Sequence, residues 1–166
     1  VSGVTSYTDS KKVNGIHVLE APVGCTNRAG NSTDPYKIHS GSYDSEDDKS
    51  FSDLTPYKFV RLENLTIYGF SGSGIVIGAN NANISIHNVI CNMNRYAGII
   101  NAGNNLEVFN IDITGNGATG LYNAGSHNKY SNVKCRYNGK FEHSTSCGIY
   151  SIGEKSVFTN IECNNN

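Results

Sequence analysis

The chain has 166 residues, a formal net charge of −1 and 37% hydrophobic residues. That length suits one domain with its own core, and the near-neutral balance, without a basic stripe, excludes nucleic-acid or anionic-membrane binding by bulk electrostatics. No apolar run is long enough to cross a bilayer and no segment reads as a signal peptide, so membrane insertion is not expected.

In chain order, the segment Val1–Ser6 reads as the last strand of a preceding coil, so the chain is expected to be a fragment of a longer structure. Gly15-Ile16 then opens a short alternating segment, Ile16–Leu19. An insertion over 22–58 follows. It is polar and holds all three prolines, Pro22, Pro35 and Pro56, with an acidic run from Asp44 to Asp48. Carboxylates there could hold Ca²⁺, but the run lacks the glycine and spacing of a dedicated calcium loop. A solvated loop is the plainer reading, and no cofactor or metal is expected.

From Val60 onward an imperfect repeat takes over. Its clearest mark is a column of asparagines: Asn64, Asn88, Asn110, Asn132 and Asn160, each followed by an apolar residue, a variable one, then Ile or Cys. A second column follows at Asn94, Asn116, Asn138 and Asn166, with Phe70 in that place in the first unit. Glycine followed by an aliphatic residue recurs at Gly74, Gly98, Gly120 and Gly148, roughly two dozen residues a step. Self-similarity at that period means a solenoid. Apolar residues alternate within each unit, as in Ile84, Ile86 and Val89, which predicts strands rather than helices.

The expected fold is therefore all-β: a right-handed, single-stranded parallel β-helix of about five coils in one domain, 1–166. Each coil should hold three short strands. The first strands are Ile16–Leu19, Ile75–Gly78, Ile99–Ala102, Leu121–Ala124 and Ile149–Ile152. The second strands are Val60–Leu62, Ile84–Ile86, Leu106–Val108, Asn128–Tyr130 and Ser156–Phe158, and the third follow the first asparagine column. Coils stack about 4.7–4.9 Å apart, so aligned carboxamides can donate to one neighbour and accept from the other. Along the first strands the interior turns polar, as Val18, Ile77, Asn101, Asn123 and Ser151. A second insertion, 139–147, precedes the last first strand.

Cys91, Cys135 and Cys163 share one inward column with Ile113. Thiol in place of isoleucine reads as packing, and the odd total of five cysteines suggests free thiols. The sequons at Asn31, Asn64 and Asn83 read as accidental, because a glycan on a ladder asparagine would break the stack.

These glycine-aliphatic starts and Asn-apolar-x-Ile/Cys units resemble the pectate-lyase-like right-handed β-helix superfamily, over nearly all of the chain outside 22–58. The resemblance implies polysaccharide as partner, and free thiols without a secretion signal favour the phage-tailspike type. That type implies a virion or extracellular setting, a homotrimer, and glycan recognition with hydrolase or lyase activity as an option. The alternatives are a stand-alone secreted polysaccharide lyase, hydrolase or epimerase, and a non-enzymatic adhesin or spacer. Neither a paired Asp-Asp motif on a strand nor Arg-x-Pro-x-x-Arg occurs.

Catalytic candidates are accordingly few. Asp112 and Glu162 share one outward column, two coils apart, with Lys134 between them. A solvated ladder of alternating charge is the plainer reading of them. Glu20 ends a first strand. Glu142 pairs with His143 in the second insertion as a candidate acid and base. Glu63 and Glu107 fall in different columns. The outward column His17, Val76, Ile100, Tyr122 and Tyr150 is the candidate glycan-binding surface or subunit interface, tyrosine combining an apolar face with a hydroxyl. Packing under a loop is the third reading of that column.

Overall fold

The computed structural model of the protein describes residues 15–18, 59–79, 81–140 and 146–166. Ten strands lie in them: β1 (Ile16–Val18), β2 (Arg61–Tyr68), β3 (Ile75–Ile77), β4 (Ser85–Asn92), β5 (Ile99–Asn101), β6 (Glu107–Thr114), β7 (Leu121–Asn123), β8 (Lys129–Arg136), β9 (Ile149–Ser151) and β10 (Val157–Asn164). The short, odd-numbered strands form one parallel sheet in chain order. The eight-residue, even-numbered strands form the other. Each rung is one short and one long strand, and the rest of the rung supplies the crossover that a parallel pair requires. The chain is an all-β parallel solenoid, as the repeat predicts.

The strand count per rung differs from expectation. The second and third strands are one continuous strand, bent at its asparagine. Asn64, Asn88, Asn110, Asn132 and Asn160 all have φ between 50° and 56°. Asparagine is one of the few non-glycine residues that visits the left-handed region readily, so the chain turns there without losing register. Ile86 pairs with Val108 before the bend and Val89 with Ile111 after it.

This bend is the middle one of three. Left-handed residues recur every fifth position in each rung: 59, 64 and 69; 83, 88 and 93; 105, 110 and 115; 127, 132 and 137; 155, 160 and 165. Most are asparagine or glycine. Phe59, Met93, His127, Tyr137 and Lys155 are not, and each holds that conformation at a cost of roughly 1–2 kcal/mol.

The core is a set of aligned columns. Ile75, Ile99 and Leu121 stack from the short strands; Ile86, Val108 and Tyr130, then Val89, Ile111 and Val133, stack from the long ones. All are buried, and each large aliphatic side chain stabilises by about 1.5–3 kcal/mol. The cysteine column runs in register as Ile67, Cys91, Ile113, Cys135 and Cys163. Cys91, Cys135, Cys147 and Cys163 are free thiols; Cys91 and Cys135 are buried, while Cys163 is exposed. Cys25 lies outside the described residues.

Both asparagine columns form ladders, but only the second is internal. In the first, Asn88 Nδ2 donates to Asn64 Oδ1 at 3.2 Å, Asn110 to Asn88 at 2.8 Å, and Asn160 to Asn132 at 2.6 Å, with the carboxamides on the outside. In the second, Asn94, Asn116 and Asn138 are buried, and each Nδ2 reaches the next Oδ1 at 2.9 Å, ending at Asn166. Phe70, the departure from the pattern, supplies only its backbone N–H, to Asn94 Oδ1 at 3.2 Å. The glycine column follows from this ladder. A Cβ on Gly120 would meet Asn138 Nδ2 at 2.9 Å and Gly148 O at 2.6 Å.

The polar turn of the interior is also present. Asn123 Oδ1 accepts from Asn101 Nδ2, Asn128 Nδ2 and the Tyr130 hydroxyl at 2.9–3.0 Å, and its amide donates to Ser151 and Ser156. Burial pushes the Tyr130 phenol above its ordinary pKa, with a hydrogen bond from Asn101 opposing the shift.

Candidate functional site

The short-strand sheet aligns His17, Val76, Ile100, Tyr122 and Tyr150 in register, and from Val76 on this column lies on the face away from the main core. Of the three readings of this column, packing is the one that two of its members fit: Val76 is 6% and Ile100 1% exposed, packed with Ala97 and Tyr122 in a small apolar cluster of their own. What remains accessible is the far end of the column. Tyr122 is half-buried, Tyr150 is 36% exposed, and their rings stack at 5.5 Å with planes 15° apart.

The outward face of the long-strand sheet carries the charges. Register places Asp112, Lys134 and Glu162 side by side, as the repeat predicts. Asp112 nevertheless pairs with Arg136: Nη2 donates to Oδ2 at 2.6 Å, while Thr114 Oγ1 donates to Oδ1 at 2.6 Å. Both carboxylate oxygens are engaged. Glu162 accepts from Asn164 Nδ2 at 2.9 Å. The two acids sit two rungs apart, about 9.5 Å by strand spacing, with a lysine between them. Glu63 is held by Arg61, and Glu107 lies opposite Lys129. Asp112–Arg136 thus pairs across rungs and Arg61–Glu63 within one strand, and such exposed pairs contribute about 0–1 kcal/mol each.

Glu20, Glu142, His143 and the acidic run Asp44–Asp48 lie outside the described residues. Among the described residues no group of three or more His, Cys, Asp or Glu side chains is placed to hold a metal ion, and no helix is long and apolar enough to cross a membrane.

Residues that repeat counting passed over stand at the third left-handed corner. Met93, Gly115 and Tyr137 follow one another up the stack there, tied by Met93 N to Thr114 O at 3.1 Å and Gly115 N to Arg136 O at 2.9 Å. Met93 is 69% and Tyr137 55% exposed. The signal for this column was present as Gly69 and Gly115, five residues beyond each asparagine.

No family model, curated protein or solved structure matches the chain.

Proposed function

We propose that the protein recognises polysaccharide in a virion or extracellular setting, with the solenoid as a rigid rack for sugar-contacting side chains. The observation that carries this reading is the Tyr122–Tyr150 stack on the outer face. One accessible tyrosine is backed by a second at 5.5 Å, which fixes its ring and lowers the entropy lost when a sugar packs against it. In-register parallel strands present such contacts at the regular spacing a polymer can follow.

The reading is recognition rather than cleavage at the described surface. Asp112 has both oxygens occupied, so it is poorly placed to donate or take up a proton. The pectate-lyase-like and tailspike resemblance of the sequence supports the same substrate class, and fold alone does not decide the activity.

A glycan panel tests this. The protein should bind at least one polysaccharide, and Tyr150→Ala should weaken that binding several-fold, the worth of one aromatic contact. Failure to bind any member of a broad panel, or binding indifferent to Tyr150→Ala, would overturn it.

A further inference from the structure

The corner formed by Met93, Gly115 and Tyr137 is costly in two independent ways. Met93 and Tyr137 hold φ of 52° and 55°, positions that asparagine or glycine fill elsewhere in the repeat. They also expose large apolar side chains to water. Strain and exposed apolar surface at the same residues point to a contact surface rather than to packing.

The shape is specific. Met93 and Tyr137 stand two rungs apart, roughly 9.5 Å, and the residue between them has no side chain. A Cβ on Gly115 would find only Lys140 Nζ at 3.8 Å and Met93 Cγ at 3.9 Å. The opening is about one side chain wide, with the Met93 side chain and the Lys140 ammonium at its edge.

The charge is specific too. Lys140 hangs its ammonium at this gap and makes no ion pair among the described residues. Beside the gap, Arg136 lies opposite Thr114, the residue before Gly115. Its Nη2 is committed to Asp112, but its Nε is shielded and has no partner; the Oδ1 of Asn92, one rung below Thr114, is likewise unpaired. Asp112 is neutralised by Arg136, and Lys134 separates this spot from Glu162. The local balance is positive.

From these relationships we infer that the Met93–Gly115–Tyr137 corner is a binding notch for a sugar unit carrying an anionic substituent. Met93 and Tyr137 pack on the ring, while Lys140 meets the carboxylate, sulfate or phosphate. The inference rests on the polysaccharide reading above and adds a second contact region, on the other sheet from Tyr150.

The test uses the full chain and matched oligosaccharides: uronate oligomers against their methyl esters, and sulfated against unsulfated galactans. Wild type should prefer the charged member of a pair, with affinity falling as salt rises. Lys140→Gln should reduce that preference about two- to fivefold, the worth of one partly screened ion pair. Met93→Asn, Tyr137→Asn and Gly115→Asn keep a residue tolerant of the left-handed corner while removing the apolar side chains or filling the gap, and should weaken binding of charged and neutral members alike. Circular dichroism and melting temperature check that each variant folds. Binding that ignores charge, or that survives all four substitutions while Tyr150→Ala abolishes it, overturns this inference and leaves the polysaccharide reading standing. No binding in any arm overturns both.

Discussion

Asn116 and Asn138 are joined twice: the backbone N and the Nδ2 of Asn116 both donate to Oδ1 of Asn138, at 3.1 and 2.9 Å. The same Asn116 accepts in turn from the N and Nδ2 of Asn94 and donates to Cys91 O. Asn116→Ala should therefore strand several buried groups at about 1–3 kcal/mol each, a total loss of at least roughly 3 kcal/mol. Asn160→Gly, in the exposed column, removes the amide without left-handed strain and should cost about 1 kcal/mol or less. Urea unfolding of the two variants measures the difference, and equal losses would show that the internal ladder is not the stronger one.

The polar interior makes a second comparison. Asn123 Oδ1 receives three donors, so Asn123→Ala should destabilise by roughly 3 kcal/mol or more. Tyr130→Phe removes one hydroxyl and keeps the ring that stacks on Phe158 at 4.8 Å. Its loss should stay near 1 kcal/mol. Thermal unfolding ranks them.

Glycine at the strained corner should raise stability while harming the proposed notch. Met93→Gly and Tyr137→Gly each relieve about 1–2 kcal/mol of left-handed strain, offset in part by the entropy of a freer unfolded chain. A net gain of about 0.5–1 kcal/mol is expected in denaturant titrations. A net loss would mean that these side chains are held by packing, contrary to their exposure.

Alkaline pH should weaken the fold through its thiols. Burial pushes Cys91 from its ordinary 9.0 to about 12, and Cys135 is raised further, by burial first and then by the neighbouring Cys163. The folded protein keeps these protons where the unfolded chain has lost them, so the unfolding free energy falls as pH rises. The Cys91 contribution is intact below about 9 and lost progressively between there and about 12. With native protein at pH 8, a thiol reagent should label Cys163 before Cys147, and leave Cys91 and Cys135 unmodified until the chain unfolds.

Much of this architecture was legible from spacing. The asparagine, glycine and cysteine columns fall in register because one period governs every rung, and the inward polarity of Asn101 and Asn123 followed from alternation alone. The bend inside each long strand reads in the sequence as a strand boundary, because asparagine marks a turn without revealing that pairing continues on both sides of it. The outward column is legible only in part. Alternation says which side of the sheet Val76 and Ile100 occupy, and both do point away from the main core. It says nothing of what packs over that side, and they are buried there.

The repeat by itself determined that successive turns lie in parallel register, since only that arrangement aligns amide with amide and isoleucine with isoleucine at every step. Tertiary structure alone decided which of two identical-looking asparagine columns is sealed from water, and that Met93 and Tyr137 flank an empty position at Gly115. Both depend on how far each corner lies from the axis of the stack. Backbone dihedrals accumulated over a whole turn set that distance, and no residue pattern within a turn encodes it.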